Sequence, residues 1–137
     1  MSSLRNARSP GRSSSVLARN ERFADKAGWA PKESRQVAAR RLDGLVEELL
    51  RPGERAFLKL DIQGYERHVL DGAGAALGRF AALELELSVT PLYEGQPGLT
   101  EMLPLLAQRG FRPVCLEPIL LDDEGLLMEL DGLFARA

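Results

Sequence analysis

The 137-residue sequence has few of the residue types on which special-purpose folds depend. It contains one cysteine (Cys115) and one histidine (His68), which excludes an internal disulfide framework and a His/Cys zinc cluster. It has no apolar run long enough for a membrane span, and its N-terminus lacks the apolar stretch of a secretory signal. These absences predict a globular protein without a metal or a membrane span, and the expected compartment is the cytoplasm.

The composition is otherwise that of an ordinary globular domain, with 45% hydrophobic residues, 28% charged residues and a net charge of −2. Basic residues concentrate near the N-terminus, where residues 1–41 hold ten Lys and Arg against three Asp and Glu. The beginning of this stretch has no apolar period, so residues 1–35 are interpreted as a mobile basic arm and irregular segment. Such an arm could bind phosphates non-specifically, but aromatic residues are sparse and no recognition motif follows. We therefore do not expect a nucleic-acid partner.

Strands and helices alternate from residue 56 onward. Short apolar runs predict strands over residues 56–61, 80–89, 111–121 and 126–134, and helical spacing predicts helices that begin near Tyr65 and Thr100. The order is β-α-β-α-β-β, which indicates parallel strands with right-handed crossovers and a terminal antiparallel hairpin. The sequence thus predicts an α/β fold over residues 36–137.

Carboxylates lie at the ends of the first two predicted strands. Ligands bind beyond the carboxyl ends of strands in open α/β sheets, and Asp61 and Glu86 occupy such ends. If these strands are neighbours, Lys59 faces Glu84 or Glu86, and Asp61 lies near Glu86. One interpretation is a ligand cleft lined by Asp61 and Glu86, where a carboxylate could remove a proton. The alternative is a solvated sheet face on which Glu84 and Glu86 pair with surface arginines.

The loop after the second strand offers further candidates. Ser88 shares a strand face with Glu84 and Glu86, and Tyr93 and Glu94 follow in the loop. Loops at strand ends carry function because the sheet holds them in place. A role in acceptor binding and ordinary loop packing are equally compatible with these residues.

The segment Leu58-Lys59-Leu60-Asp61-Ile62-Gln63-Gly64-Tyr65-Glu66, followed by Val69-Leu70-Asp71-Gly72-Ala73, resembles the central motif of the FkbM family of S-adenosylmethionine-dependent methyltransferases. Further similar segments follow in the family's order: Arg41-Leu42-Asp43-Gly44-Leu45, Leu85-Glu86-Leu87-Ser88, Leu92-Tyr93-Glu94-Gly95 and Asp131-Gly132-Leu133-Phe134. Ser13-Ser14-Ser15-Val16-Leu17 resembles a serine-rich stretch of the family more weakly.

The resemblance implies a class I, Rossmann-like fold and transfer of a methyl group from S-adenosylmethionine to a hydroxyl oxygen of a small molecule, glycan or lipid. It implies donor contacts by Asp61, Gln63 and Gly64, and catalytic roles for Asp61 and Glu86. Glu66, Ser88, Tyr93 and Glu94 are the implied acceptor contacts. Many relatives have Glu where this chain has Gln63, which casts doubt on any role that needs an anion there.

One departure from the family pattern concerns the donor site. Methyltransferases of this class hold their cofactor on a glycine-rich turn after a first strand, and no such pattern precedes Asp61. The chain therefore resembles the C-terminal part of the domain. Its strand at residues 57–61 would then have an open edge, which predicts self-association or instability in isolation. A non-catalytic half-domain or interaction module is the alternative function.

Overall fold

The computed structural model describes residues 2–7, 14–23 and 31–137. Its strands are β1 (Ser2–Ala7), β2 (Ser14–Ser15), β3 (Pro31–Val37), β4 (Ala56–Leu60), β5 (Phe80–Ser88), β6 (Phe111–Leu121) and β7 (Leu127–Arg136). Its α-helices are α1 (Leu42–Leu49), α2 (Glu66–Ala73) and α3 (Leu99–Gln108), and short 3-10 helices cover Glu21–Phe23 and Gly74–Arg79. None of the helices in these ranges has the length and apolar character needed to cross a bilayer.

The first 35 residues contain strands where the sequence predicts an irregular segment. β1 pairs antiparallel with both β2 and β3, which gives a small three-stranded sheet of order β2-β1-β3. These strands are held by backbone hydrogen bonds and need no alternating apolar pattern, so hydrophobic periodicity could not reveal them. The side chains of Arg5, Arg8 and Arg12 in the expected basic arm lie outside the described residues.

The predicted order β-α-β-α-β-β after residue 55 is confirmed. The main sheet has the order β4-β5-β7-β6. β4 and β5 run parallel, joined through α2, whereas β7 is inserted between β5 and β6 and is antiparallel to both. β4 pairs only with β5 within the described part of the chain, so it forms an edge of the sheet, and Phe57 on this strand is 53% exposed.

One face of the main sheet forms the hydrophobic core. Leucines of β5 alternate onto this face and belong to one core cluster with residues of all three α-helices. The core residues from the strands are Leu60, Phe80, Leu83, Leu85, Leu87, Phe111, Leu130 and Phe134, and those from the α-helices are Val46, Leu70, Ala73, Met102 and Leu106. This packing fixes the positions of the strand ends. It therefore also fixes the positions of the residues that follow them.

The opposite face of the sheet is polar. Lys59 lies beside Glu84 in the parallel register and forms an ion pair with it. Across the antiparallel pairs, Glu86 lies opposite Asp131 and Ser88 lies opposite Glu129. Glu84 thus takes part in an ion pair on the solvated face, whereas Glu86 lies nearer the end of β5 and is hydrogen-bonded to Gln63.

Candidate functional site

The buried side chain of Glu66 stabilises the turn between β4 and α2. The Glu66 Oε1 atom accepts hydrogen bonds from the backbone N–H groups of Ile62 (3.2 Å) and Gly64 (3.3 Å). Glu66 is 3% exposed, and this burial raises the pKa of its carboxyl group, against the lowering effect of those backbone hydrogen bonds. Glu66, a predicted acceptor contact, is thus a buried residue that binds the backbone of the turn.

Gln63 is the centre of the site's hydrogen-bond network. Its backbone has φ +53°, in the left-handed region that non-glycine residues rarely adopt, and this conformation directs its side chain toward the end of β5. Its Nε2 donates to Glu86 Oε2 (2.5 Å) and to Asp61 Oδ1 (3.2 Å), while its Oε1 accepts from the Tyr93 hydroxyl (2.8 Å). The backbone oxygen of Gln63 accepts from Ser15 Oγ (2.6 Å). An amide suits this place, because it can donate to two carboxyl groups while it accepts from a phenol.

A second chain of hydrogen bonds joins β5 to β7. Gln96 Nε2 donates to Ser88 Oγ (2.7 Å), and Ser88 Oγ donates to Glu129 Oε1 (3.0 Å). Ser88, Gln96 and Glu129 are all buried, so this chain is a fixed part of the interior of the site.

The carboxyl groups of the site cannot all be ionised near neutral pH. Burial, followed by the negative charges of Glu129, Asp61, Glu66 and Asp131, raises the pKa of Glu86 to about 9. Burial also raises the pKa of Glu129, although its hydrogen bond from Ser88 and the charge of Arg19 act in the opposite direction. Glu86 is therefore a neutral acid at pH 7, whereas Asp61 lies exposed at the mouth of the site.

An N-terminal segment, residues 15–23, lies against the loop after β5. Glu94 N–H donates to the Ala18 oxygen (2.8 Å), and Asn20 N–H donates to the Leu92 oxygen (2.9 Å). The Arg19 guanidinium lies over the Tyr93 ring at 4.9 Å from its centroid, and Arg19 Nη2 donates to the Tyr93 hydroxyl (3.2 Å). This segment thus holds Tyr93 against Gln63, whereas Glu94 contributes its backbone and its side chain is exposed.

Gly64 is required by packing within the protein. Its φ is +94°, and a Cβ atom built on it would lie 3.1 Å from Tyr93 Cδ2 and 3.2 Å from the Gln96 side chain. The space that the missing side chain leaves is therefore filled by Tyr93 and Gln96. The glycine therefore lets Tyr93 and Gln96 pack closely against the turn.

The structure brings together most of the residues that the sequence singles out. Asp61, Gln63, Glu86, Ser88 and Tyr93 share the two networks, Glu66 lies behind the turn, and Glu94 points away.

Four residues of the site were not predicted from the sequence: Ser15, Arg19, Gln96 and Glu129. Ser15 lies in the weakly matching serine-rich stretch. Glu129 and Asp131 alternate with apolar residues in β7 as Glu84 and Glu86 do in β5, and this alternation is the one signal that could have found Glu129.

The residues described here do not form a complete S-adenosylmethionine site. Of the three predicted donor contacts, Gln63 is hydrogen-bonded within the protein and Gly64 is covered by Tyr93, so Asp61 alone presents an exposed side chain. In the described parts of residues 1–55, β1, β2 and β3 pair antiparallel, and none of them is a parallel strand that leads into a glycine-rich turn. Nor do the described side chains include a cluster of three or more His, Cys, Asp or Glu residues arranged to hold a metal ion.

Comparison with known proteins identifies the family. The family model described as the methyltransferase FkbM domain matches residues 6–113, which is more than half of the chain. No curated protein and no solved structure matches the chain significantly. The matched range includes β4, the turn with Asp61 and Gln63, β5 and the loop with Tyr93. Because the match covers most of the chain, the chain belongs to the methyltransferase FkbM family.

Proposed function

We propose that the chain takes part in the transfer of a methyl group from S-adenosylmethionine to a hydroxyl oxygen and provides the part of the site that activates the acceptor. The observation that carries this proposal is the difference between two carboxyl groups at the strand ends. Asp61 is exposed, and Gln63 connects it to the neutral acid Glu86. One anionic carboxylate therefore faces the position of an acceptor.

Asp61 orients the acceptor hydroxyl and takes its proton, which then passes to water. Gln63 holds Asp61 Oδ1, and Tyr93 fixes the amide of Gln63 so that its N–H bonds point at the carboxyl groups. Glu86 stays protonated, so it adds no second negative charge beside Asp61. A sugar, a polyketide, a lipid or a peptide can each supply a hydroxyl of this kind.

The strand order supports a position in the C-terminal part of a Rossmann-like sheet. Two parallel strands are followed by a hairpin whose last strand is inserted antiparallel beside β5. We infer that the elements that hold the adenosine and methionine parts of the donor are additional to the described residues. The expected location in the cell is the cytoplasm.

Replacement of Asp61 by asparagine is expected to lower methyl transfer by about 100-fold, because the amide keeps the shape of the side chain but cannot accept the hydroxyl proton. The measurement is formation of S-adenosylhomocysteine from S-adenosylmethionine with a panel of sugar, polyketide, lipid and peptide hydroxyls.

Glu124→Gln, an equivalent change of an exposed carboxylate in the β6–β7 turn, should leave the rate unchanged. Full activity of Asp61→Asn would contradict the role of Asp61.

A second candidate function is a half-domain that pairs with another chain through β4. It is favoured by the position of β4 at the sheet edge and by the 53% exposure of Phe57 on that strand. Unpaired strand edges pair readily with other strands. The expected partner is a second copy of this chain.

Phe57→Lys is therefore expected to weaken self-association by about 10-fold, since a charge at an exposed strand edge disfavours pairing. Light scattering over a concentration series measures the change. Leu49→Lys is the matched control, because it introduces the same charge on α1 at a residue that is 73% exposed. A wild-type chain that remains monomeric at every concentration would exclude this function.

A further inference from the structure

Gln96 is a buried amide in the loop that connects β5 to α3. It is 9% exposed, and Gly98, the N-cap residue of α3, follows shortly after it. Gln96 Oε1 accepts hydrogen bonds from the backbone N–H groups of Leu92 (2.8 Å) and Tyr93 (3.2 Å). The backbone N–H of Gln96 in turn donates to the backbone oxygen of Tyr93 (3.2 Å). One residue therefore closes the turn over residues 92–96.

The same side chain connects this turn to the main sheet. Gln96 Nε2 donates to the Oγ atom of Ser88 (2.7 Å), which is the last residue of β5 and is 1% exposed. The orientation of the amide is fixed, because backbone N–H groups can only donate and the amide oxygen must therefore face Leu92 and Tyr93. A buried amide whose oxygen and nitrogen both have partners is costly to displace. Gln96 thus holds the backbone of Tyr93 beside the end of β5.

Gln96 and Tyr93 both pack against the turn between β4 and α2. A Cβ atom on Gly64 would lie 3.2 Å from Gln96 Cδ and 3.1 Å from Tyr93 Cδ2, so the loop is in close contact with this turn. Tyr93 is 2% exposed, and its hydroxyl donates to Gln63 Oε1 (2.8 Å). Good O–H···O bonds span about 2.5 to 3.0 Å, so a shift of the Tyr93 backbone by about 1 Å would break this one.

The Gln63 amide connects Tyr93 to Asp61. Its Nε2 donates to Asp61 Oδ1 (3.2 Å) while its Oε1 accepts from the Tyr93 hydroxyl. Rotation of this amide by half a turn would set its oxygen against the Asp61 carboxylate, which can only accept. The Tyr93 hydroxyl, whose position depends on the backbone that Gln96 holds, therefore favours the amide orientation that binds Asp61.

We propose that Gln96 is a positioning residue that, through Tyr93, sets the orientation of the Gln63 amide and thereby that of Asp61. The inference rests on the proposed function for its catalytic meaning, since Asp61 is the carboxylate that faces the acceptor. The orientation of the Gln63 amide is a property of the folded chain, so it can be measured without methyl donor or acceptor.

The test is NMR of the ¹⁵N-labelled full chain, in which the side-chain amide signals of Gln63 are compared with those of the exposed Gln108 on α3. In the wild type, the Gln63 signals should lie apart from the Gln108 signals. Gln96→Leu should move them toward Gln108, and Tyr93→Phe should move them to the same extent. The double variant should show no larger shift than either single variant, because both changes remove the same hydrogen bond to Gln63.

The conservative variant separates positioning from a loss of stability. Gln96→Glu keeps the oxygen that accepts from the loop backbone, so the Gln63 signals should stay at their wild-type positions although the amide donor to Ser88 is lost. The signals report the folded chain, and lower stability alone does not move them. Gln108→Leu, an exposed change of the same kind, should leave the Gln63 signals unchanged.

Wild-type Gln63 signals in Gln96→Leu would overturn the proposal, and so would a double variant whose shift is the sum of the two single shifts. If Gln96→Leu fails to fold, Gln96→Asn takes its place, since it keeps an amide but is one methylene too short to reach both the loop backbone and Ser88. Expected shifts at Gln63 together with full methyl transfer by Asp61→Asn would contradict the proposed function and leave the positioning of Gln63 established. Unchanged Gln63 signals together with a large loss in Asp61→Asn would do the reverse.

Discussion

Glu86→Gln is expected to remove most of the fall in stability that the wild-type chain shows as the pH rises from about 5.5 to about 8. The pKa of Glu86 is raised by burial to about 9 in the folded chain, above its ordinary value of 4.5. A group with a raised folded-state pKa contributes stability that is fully present below the unfolded pKa and is lost as the pH rises toward the folded one. One such group changes the free energy of unfolding by about 1.4 kcal/mol per pH unit, or about 3 kcal/mol over this range.

Urea unfolding at a series of pH values measures this effect. The variant and the wild type should have similar stability near pH 5, and the variant should be more stable near pH 8 by about 3 kcal/mol, because glutamine has the shape of the protonated acid and does not ionise. Glu117→Gln should retain the wild-type slope. A wild-type stability that stays constant or rises over this range would show that Glu86 is ionised in the folded chain.

Gly132→Ala is expected to destabilise the fold by about 1 to 3 kcal/mol. Gly132 lies on β7 opposite Leu85, between the two strands with which β7 pairs. A Cβ atom at this position would lie 2.5 Å from Phe134 Cε2 and 3.0 Å from Leu87 Cδ1. Phe134 is 1% exposed and Leu87 is 2% exposed, so neither side chain can move aside without disturbing the core.

The matched control is Gly44→Ala in α1, where a Cβ atom would meet nothing within 4 Å. This change should leave stability unchanged or raise it by up to about 1 kcal/mol, since alanine favours a helix over glycine. Denaturant midpoints of the two variants and the wild type provide the comparison. A loss below about 1 kcal/mol for Gly132→Ala would show that the ring of Phe134 can be repacked, and that the glycine is not needed for close packing.

The order of strands and helices could be predicted from the sequence because the signals are local. The leucines of β5 at every second position gave the strand and its buried face, and Gly110 with φ +80° marks the end of α3. The proximity of Asp61 to Glu86 also followed from parallel pairing of β4 with β5, and the structure connects them through Gln63.

The partners from distant parts of the chain could not be predicted in this way. The hairpin of β6 and β7 was expected, but its pattern does not say which strand of the hairpin lies beside β5. That choice places Glu129 opposite Ser88. Ser15 and Arg19 reach the site through backbone contacts of a segment with no periodic pattern. The hydrogen bonds of Glu66 to the turn could not be predicted for a related reason, since a carboxylate in a first helical turn can point outward or back to the turn that precedes it.

The segment over residues 15–23 also has a consequence for the order in which the chain folds. Ser15 meets Gln63 across 48 residues of sequence, and Arg19 meets Tyr93 across 74. Contacts of such long separation cost more loop-closure entropy than the local contacts of the helices. The sheet and its helices can therefore form before this segment docks, and the site is completed in a late step of folding.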